Sequence, residues 1–361
     1  MKKTWAIIGG GNGGQAIAGH LGSMGERVRL FDVVQATVDA LNEKGGIRLH
    51  HAVEGYGPLE FATTDMGKAM EGADVLMVVL PAIYHKSIAQ KMIPHLKDGQ
   101  VVLLHPEASC GALEFRKQMQ DMGCRADVVV GAACTLLYST RIQSHGDVYV
   151  FGLKSEVPMA ALPATDNAKL EAAIHPQLPW FKLVSNVVEV SLDNLNAMMH
   201  PAPMLLNTSR IEADPFIPFQ YYHEGITPSV GKYICAMDAE RIAIAAAMGY
   251  TQRNICDEYI AMYRCAEPGT PLYQICKNNP GYEGIMTSNT LATRYLLEDI
   301  PYSLEPIRAL ARIVGVETPC IDAIITLGRT ILDDKMDEGR TAQALGIAGM
   351  TKEQLLHYIN G

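Results

Sequence analysis

The stretch that decides the fold of this chain is Ile7-Ile8-Gly9-Gly10-Gly11-Asn12-Gly13-Gly14, which fits the pattern G-x-G-x-x-G through Gly9, Gly11 and Gly14. Gly9 permits a tight turn out of a strand, Gly11 lets backbone approach a pyrophosphate, and Gly14 lets a helix pack closely on the sheet. The N-terminus of that helix would offer unpaired N–H groups and its positive dipole end to phosphates. The loop therefore predicts a dinucleotide site that includes these three glycines and Asn12.

The residues around this loop supply the context that the pattern requires. A strand at residues 5–8 precedes it, and helical spacing follows over residues 15–22. A second strand, residues 28–31, ends at Asp32, where a carboxylate can accept hydrogen bonds from the ribose hydroxyls of adenosine. No Arg or Lys directly follows Asp32, which favours NAD(H) as the cofactor, although Arg29 and other basic side chains nearby keep NADP(H) possible.

Further apolar runs in the first half indicate more strands, at residues 75–80, 101–104 and 127–131. Short apolar strands separated by helical stretches predict a parallel sheet with helices on both faces. Pro81 closes the run at 75–80 and is predicted to lie at the cofactor cleft, where strand ends meet. His85 and His105 also follow strands; each could contact cofactor or substrate, but an ordinary loop or helix-start histidine is the commoner interpretation.

Helical patterns dominate after about residue 190. The clearest covers residues 238–248 and ends before Gly249, and others cover residues 308–314 and 321–332. We therefore predict an α/β Rossmann-type parallel-sheet domain over residues 1–190, followed by a mostly α-helical C-terminal domain over residues 191–361.

Composition excludes several classes of function. The 361 residues are 48% hydrophobic and 19% charged, with a net charge of −9, which argues against nucleic acid and anionic membranes as partners. There is no run of about 18 apolar residues and no cleavage-like site after the N-terminal lysines, so a cytoplasmic protein is expected. No two of the eight cysteines form a CxxC pair, which predicts reduced thiols and no metal site.

The segment at residues 193–200 (DNLNAMMH) is a candidate for acid–base chemistry. Asp193 is predicted to cap a helix on which Asn196 and His200, four residues apart, share one face. A histidine suits proton transfer at neutral pH, and a nearby amide can orient it or the substrate. Pro201 predicts a kink or a break at His200; taken alone, a packed histidine is the commoner interpretation.

A second polar cluster occurs in an apolar setting at residues 294–301 (RYLLEDIP). Arg294 could hold a substrate carboxylate through a bidentate pair, and Asp299 could orient a histidine and stabilise its cation. The alternative interpretation is a surface patch of salt bridges before Pro301, and the spacing alone slightly favours that alternative.

Eight segments, taken in order along the chain, carry a resemblance: residues 9–14 (GGGNGG), 111–115 (GALEF), 135–141 (TLLYSTR), 160–163 (AALP), 196–201 (NAMMHP), 224–230 (EGITPSV), 238–241 (DAER) and 294–301 (RYLLEDIP). Together they resemble the opine dehydrogenase family, of the octopine/nopaline dehydrogenase type. The resemblance implies a Rossmann domain followed by a helical domain, as in the 6-phosphogluconate-dehydrogenase-like fold. It also implies a reaction in which an amino acid and a 2-oxo acid form an imine that NAD(P)H reduces to a secondary amine dicarboxylate.

The resemblance implies a role for each matching residue. His200 is similar to the family's proton-transfer histidine, Asp299 to the carboxylate paired with it, and Asn196 to the asparagine one helical turn before it. Arg294 resembles the arginine that grips the oxo-acid carboxylate, and Thr140 occupies a position that lines the amino-acid pocket. A homodimer is expected.

Two stretches depart from the family pattern and put the identity of the substrates in doubt. Glu107 follows Pro106 where a glycine is expected, and Ala132-Ala133-Cys134 stands where a glutamate often precedes the Thr-Leu pair. Pyruvate is the default oxo acid. Two alternatives remain open: a hydroxy-acid or ketopantoate-type dehydrogenase, which would need no amine, and a non-catalytic NAD(H)-sensing protein.

Overall fold

The computed structural model describes residues 2–361, apart from the side chain of Asp334. They group into two compact units: the first runs up to Ser191 and includes Leu356–Gly361, and the second is Leu192–Leu355. The predicted boundary after residue 190 lies one residue from this division, whereas the last six residues group with the first unit instead of the second.

The described part of the first unit contains two sheets. Their strands are β1 (Thr4–Ile8), β2 (Arg27–Phe31), β3 (Gly46–His51), β4 (Gly55–Pro58), β5 (Phe61–Thr63), β6 (Val75–Val78), β7 (Val101–Leu104), β8 (Val129–Ala133), β9 (Tyr138–Ser144), β10 (Asp147–Leu153), β11 (Val157–Leu162) and β12 (Phe181–Leu183). The larger sheet has the order β12-β11-β8-β7-β6-β1-β2-β5, and all its pairs are parallel except β8 with β11.

The strand β1 lies inside this sheet, between β6 and β2, and is buried along its whole length. It pairs in parallel with β2 on one side and β6 on the other, with Ile8 opposite Phe31 and Val78. Because both faces are covered, the central strands are continuous apolar runs instead of alternating ones. The predicted Rossmann-type parallel sheet is confirmed, and the glycine loop leaves it at the carboxyl end of β1.

The helices of the described chain up to residue 192 are α1 (Asn12–Ser23), α2 (Gln35–Lys44), α3 (Met66–Met70), α4 (His85–Met92), α5 (Gly111–Asp121), α6 (Asn167–Ile174) and α7 (Val187–Leu192). The helix predicted at residues 15–22 is therefore the inner part of α1. The run predicted as a strand at 127–131 is displaced by two residues, because the observed strand is Val129–Ala133.

The smaller sheet of the first unit, with the order β4-β3-β10-β9, was not predicted. It packs on α1, where a Cβ on Gly57 would overlap the carbonyl oxygen of Gly19 and a Cβ on Gly19 would come within 3.0 Å of Ile47. Two glycines thus allow a strand to lie against a helix. The sequence signal is weak because β4 is only four residues long and contains two glycines and a proline.

The second unit consists of helices within the described residues: α8 (Asn196–Met199), α9 (Pro201–Leu206), α10 (Thr208–Ile211), α11 (Pro228–Met248), α12 (Ile255–Tyr263), α13 (Leu272–Asn278), α14 (Arg294–Leu297), α15 (Glu305–Val314) and α16 (Pro319–Leu332), with a π-helical turn at Ile300–Leu304. The last helix, α17, is Lys352–Asn360. The helix predicted at 238–248 is the second half of α11, which is capped by the Thr227 hydroxyl and ends at Gly249 in the left-handed conformation.

The DAER segment of α11 is a structural element. Asp238 and Arg241 are both 1% exposed and form an ion pair at 2.7 Å. Asp238 also accepts from the backbone N–H of Ile255, the first residue of α12, and Glu240 accepts from the N–H groups of Cys320 and Ile321 at the start of α16. These carboxylates satisfy helix N-termini that would otherwise lack partners.

None of the described helices has both the length and the apolar character needed to cross a membrane. Among the described residues, no three His, Cys, Asp or Glu side chains are grouped so that they could hold a metal ion.

Candidate cofactor loop and active site

The glycine loop has the backbone shape that its sequence predicts. Gly9 has φ +117°, and a Cβ there would come within 2.5 Å of the Val79 carbonyl oxygen. A Cβ on Gly14 would overlap the carbonyl oxygen of Gly9, so α1 could not lie as close to β1 with any larger residue. Gly11 faces open space and precedes α1 without any side-chain cap, so the helix N-terminus can receive a phosphate group.

Asp32 anchors this loop from the end of β2. Its Oδ2 accepts a hydrogen bond from the Gly10 N–H at 2.6 Å, and its Oδ1 accepts from the Val34 N–H at 2.8 Å. The carboxylate is half-buried and keeps lone pairs for a ribose hydroxyl. Arg29, the basic side chain that kept a 2′-phosphate possible, is paired with Glu60 at 2.7 Å.

Two amide side chains at the start of α1 tie the loop to the smaller sheet. Asn12 Oδ1 accepts from the Ile142 N–H of β9 at 2.8 Å. Gln15, which was not among the predicted residues, donates to the Gly10 carbonyl at 2.7 Å and accepts from the Gly146 N–H at 2.8 Å. The Asn12 side chain is therefore engaged with protein backbone. Gln15 is fully buried, and its only sequence signal is its position directly after Gly14.

The residues that follow the strands have different surroundings. Pro81 is exposed and precedes a short 3₁₀ turn, whereas His85 is buried and its Nε2 lies 3.0 Å from the Leu80 carbonyl oxygen. His105 is fully buried, and its Nε2 accepts from the Leu137 N–H at 2.8 Å. Burial, with a contribution from the charge of Lys154, lowers the pKa of His105 to about 3, so this ring is neutral.

Thr140 lies in β9 and is partly exposed. Its hydroxyl donates to the Tyr149 carbonyl of the neighbouring strand β10 at 3.0 Å. Glu107, which replaces the expected glycine, is fully buried; its carboxylate accepts from the Ser191 hydroxyl at 2.6 Å and from the Ala112 N–H at 3.0 Å. The glutamate that departs from the family pattern therefore binds a backbone N–H group at the start of α5.

The second unit contains three buried side chains that are linked in a chain of hydrogen bonds. His200 Nδ1 lies 2.8 Å from Asp299 Oδ2, and His200 Nε2 lies 3.0 Å from the Tyr222 hydroxyl. All three residues are at most 6% exposed. Because an ionised carboxylate can only accept, Nδ1 carries a proton and Nε2 is the nitrogen that can exchange one.

The helix break predicted at His200 explains how the ring is presented. His200 ends α8 and precedes Pro201, the first residue of α9, with φ −99° and ψ −54°. The predicted cap by Asp193 is wrong, since α8 begins at Asn196 after Leu195 and has no side-chain cap. Tyr221 donates from its hydroxyl to the His200 carbonyl oxygen at 2.5 Å, which fixes the backbone at the break.

Aromatic rings enclose this histidine. The ring of Tyr295 stacks on His200 with centroids 4.1 Å apart, and Tyr222 stacks on Tyr282 with centroids 3.9 Å apart. Burial and the neighbouring Tyr295 raise the pKa of Tyr222 well above its ordinary value, so its phenol stays protonated. Tyr222 and Tyr295 were not among the predicted residues. Tyr295 lies within the segment at residues 294–301, directly after Arg294, whereas nothing in the sequence near His200 points to Tyr222.

The other predicted residues of this cluster have different surroundings. Asn196 is exposed, and the structure shows a backbone hydrogen bond from the His200 N–H to its carbonyl oxygen at 3.0 Å. The Arg294 side chain is 68% exposed and lies 3.8 Å from Glu298. The guanidinium is thus on the surface of the second unit, one residue from Tyr295.

Two families match separate parts of the chain. The family described as NAD/NADP octopine/nopaline dehydrogenase, alpha-helical domain, matches residues 183–332. The family described as NAD-dependent glycerol-3-phosphate dehydrogenase N-terminus matches residues 4–107. The first covers the His200 cluster and the second covers the glycine loop.

Whole-length relatives agree with these matches. The chain is 39% identical to the opine dehydrogenase of Arthrobacter sp. (strain 1C) over 352 residues, which is 97% of each chain. It is 25% identical to the octopine dehydrogenase of Mizuhopecten yessoensis, covering 90% of this chain and 89% of the relative. Among solved structures, octopine dehydrogenase with NADH and L-arginine has a TM-score of 0.82 at 21% identity, covering 99% of this chain and 98% of that one.

Ketopantoate reductases share the fold. One from Ralstonia eutropha JMP134 has a TM-score of 0.60 at 19% identity, covering 93% of this chain and 99% of that one. Such a likeness concerns the fold alone, so the ketopantoate-type alternative gains no separate support from it.

Proposed function

This chain belongs to the opine dehydrogenase family, and from that premise we propose which of its groups carry the reaction, which cofactor it prefers and where it works. As a member, it is an NAD(P)-dependent oxidoreductase that acts on CH–NH bonds. The reaction joins the amino group of an amino acid or amine to a 2-oxo acid such as pyruvate and reduces the resulting imine to a secondary amine dicarboxylate.

The observation that carries the assignment of roles is the chain Asp299–His200–Tyr222. Asp299 holds the proton on Nδ1 and stabilises the imidazolium that forms when Nε2 takes up a second proton. Nε2 supplies that proton where negative charge develops on the reacting oxygen or nitrogen, and takes it back when the secondary amine is oxidised. Tyr222 holds the ring through its hydroxyl, which lies 3.0 Å from Nε2.

When bound, the dinucleotide supplies the hydride that reduces the imine carbon. The groups on this chain that would hold it are the glycine loop, with Gly9, Gly11 and Gly14, and the backbone at Asn12. Asp32 would accept from the ribose, and Pro81 would line the site at the end of β6.

We propose NAD(H) over NADP(H). A 2′-phosphate beside Asp32 would meet a carboxylate, and the candidate cation Arg29 is already paired with Glu60. Equal kcat/KM for the two cofactors would contradict this preference.

The substrate-binding residues are proposed on separate grounds. Arg294 presents an exposed guanidinium that can exchange its 3.8 Å contact with Glu298 for a bidentate pair with the oxo-acid carboxylate. The exposed Asn196 would position substrate by its amide, and Thr140 would contribute to the amino-acid pocket.

We also propose a cytoplasmic homodimer. All eight cysteines of the described chain are free, which suits a reducing compartment. Ile217 is 73% exposed and Met286 is 50% exposed, on segments joined by the bridge between Gln220 and Met286, and a second copy would cover them. Light scattering of the purified chain tests the dimer, and a monomeric mass would contradict it.

The deciding experiment follows NADH absorbance with purified protein, pyruvate and a panel of amino acids, with pyruvate-only and amine-only controls. Oxidation that requires both substrates is the expected result, and the best amine names the pocket. Oxidation with the oxo acid alone would identify a hydroxy-acid dehydrogenase, and binding of NADH without any oxidation would identify a sensor.

A further inference from the structure

Two cysteines of the second unit lie side by side outside the chain of residues assigned to catalysis. Cys235 is in α11 and Cys256 is the second residue of α12, and their sulfur atoms are 3.8 Å apart. Both side chains are partly exposed, so a small oxidant can reach them. A disulfide joins its sulfurs at about 2.0 Å, so the two must approach by roughly 2 Å.

The two thiols are chemically unequal. A hydrogen bond from the Cys256 thiol lowers the pKa of Cys235, against the opposing effects of burial, Asp238 and Cys276. The same hydrogen bond, together with burial, raises the pKa of Cys256. Cys235 is therefore the thiol that ionises more readily and attacks first, and Cys256 is the thiol that follows.

We propose that Cys235 and Cys256 form a reversible disulfide when the protein meets a peroxide. The Cys235 thiolate attacks one oxygen of hydrogen peroxide, the O–O bond breaks, and a sulfenic acid and hydroxide form. The Cys256 sulfur then attacks the sulfenic sulfur, and the departing hydroxyl takes up a proton to leave as water. In total, two thiols and one peroxide give one disulfide and two waters, and a dithiol reverses the change.

The pair is connected to the His200 chain by a row of aromatic rings. Tyr259 lies three residues after Cys256 on α12, and Tyr259 and Tyr263 pack on Tyr282 with centroids 6.2 and 5.7 Å away. Tyr282 in turn stacks on Tyr222, whose hydroxyl bonds to Nε2 of His200.

Drawing the start of α12 toward α11 therefore shifts the tyrosine that holds the histidine. Because a misplacement of about 1 Å can cost as much as about 100-fold in rate, we expect the disulfide to lower kcat by about 10-fold. This part of the inference rests on the proposed role of His200.

The test treats the full-length protein with hydrogen peroxide under non-denaturing conditions and then blocks free thiols. We expect the oxidised protein to carry two fewer blocking groups than the reduced protein, and proteolysis to yield one linked pair of peptides carrying Cys235 and Cys256. Dithiothreitol should restore both the mass and the turnover. Cys235→Ser and Cys256→Ser should each abolish the linked peptides, and Cys276→Ser should retain them.

Cys276 is the matched control because it neighbours the pair but is fully buried, and burial raises its pKa to about 12. Thermal unfolding of each variant establishes that the fold is intact before oxidation. Stepwise oxidation of Cys235 to a sulfinic acid without a linked peptide would overturn the proposal, as would a bridge to another cysteine.

The mass measurement does not depend on catalysis, so it stands even if no amine supports turnover. A disulfide that forms with unchanged kcat would overturn the connection through the tyrosines.

Discussion

The glycine loop and the His200 cluster build their sites by opposite means. The loop uses consecutive residues and backbone groups, and its critical contacts are between Gly14 and Gly9 and between Gly10 and Asp32. The cluster uses side chains from distant segments, since Tyr222 and Asp299 are 22 and 99 positions from His200. The loop is therefore sensitive to added atoms where its backbone is crowded, whereas the cluster is sensitive to the loss of side-chain hydrogen bonds.

The largest expected effect is on the cluster, from removal of the proton-transferring ring. His200→Ala should lower kcat by about 100- to 10,000-fold, the range for loss of a general acid–base group. The Kd for NADH, measured by fluorescence titration, should stay near that of the wild type because the glycine loop is in the other unit.

His223→Gln is the control for His200→Ala, because His223 is also in the second unit but its ring nitrogen lies 3.1 Å from a backbone oxygen, the Asn279 carbonyl. It should keep near-full turnover. Near-full activity of His200→Ala would remove the histidine from the mechanism.

A second prediction breaks the loop by adding one methyl group. Gly14→Ala places a Cβ on the Gly9 carbonyl oxygen, so we expect a loss of stability of about 1–3 kcal/mol together with a loss of NADH binding.

Gly11→Ala is the matched change, since its Cβ meets nothing within 4 Å. It should keep the wild-type unfolding free energy and lower only the affinity for NADH. Unchanged NADH affinity in Gly11→Ala would show that no pyrophosphate approaches that backbone.

These two regions also differ in what the sequence could predict. The loop, β1, β7 and the boundary near residue 190 follow from local patterns, because glycine spacing and apolar runs act over a few residues. Tyr222 and Tyr295 could not be found in that way, since the hydrogen bond of Tyr222 to His200 and the stacking of Tyr295 on it depend on how distant segments pack. The smaller sheet was missed for a related reason: β4 is stable against α1 only because Gly19 and Gly57 lie in contact.

The resemblance supplied what local patterns could not, but only in part. It paired Asp299 with His200 across 99 positions, and the structure has these atoms 2.8 Å apart. It also grouped Asn196 with the histidine, and the Asn196 side chain is exposed instead of packed on the ring.

A third prediction concerns the carboxylate of the oxo acid. Arg294→Ala should lower kcat/KM for the oxo acid by about 10- to 100-fold, which corresponds to the about 1.5–3 kcal/mol of hydrogen bonds to a charged group. The KM for NADH should not change. Arg253→Ala removes an equally exposed arginine that pairs with Glu258 and should have no effect on the oxo acid; if both variants behave alike, Arg294 is a surface residue.

A fourth prediction sharpens the role of the phenol that the sequence did not reveal. Tyr222→Phe removes only the hydroxyl 3.0 Å from Nε2, and one such bond is worth about 0.5–1.5 kcal/mol, so kcat should fall by about 3- to 10-fold. The pH dependence of kcat should also shift, because Nε2 loses a partner.

Tyr282→Phe keeps the stacked ring beside Tyr222 and is the control. It should alter stability but leave the pH profile in place. An unchanged pH profile of kcat in Tyr222→Phe would mean that the Tyr222 hydroxyl has no influence on proton transfer by His200.

The last prediction contrasts His200 with the histidine buried in the first unit. The folded-state pKa of His105 is about 3, below its ordinary value of 6.5, because burial and Lys154 disfavour the charged ring. As the pH falls from about 6.5 toward 3, the His105 ring therefore takes up a proton in the unfolded chain but not in the folded chain. This contribution to stability is present above pH 6.5 and is lost over that window, at up to about 1.4 kcal/mol per pH unit.

His105→Gln keeps an acceptor for the Leu137 N–H but has no titrating ring. Urea unfolding at pH 7 and pH 5 should therefore show a smaller loss of stability in this variant than in the wild type. Equal losses would mean that His105 takes up a proton as readily in the folded protein as in the unfolded chain. In that case His105 could exchange a proton in the folded protein, as is proposed for His200. The two units would then no longer differ in the role of their buried histidine.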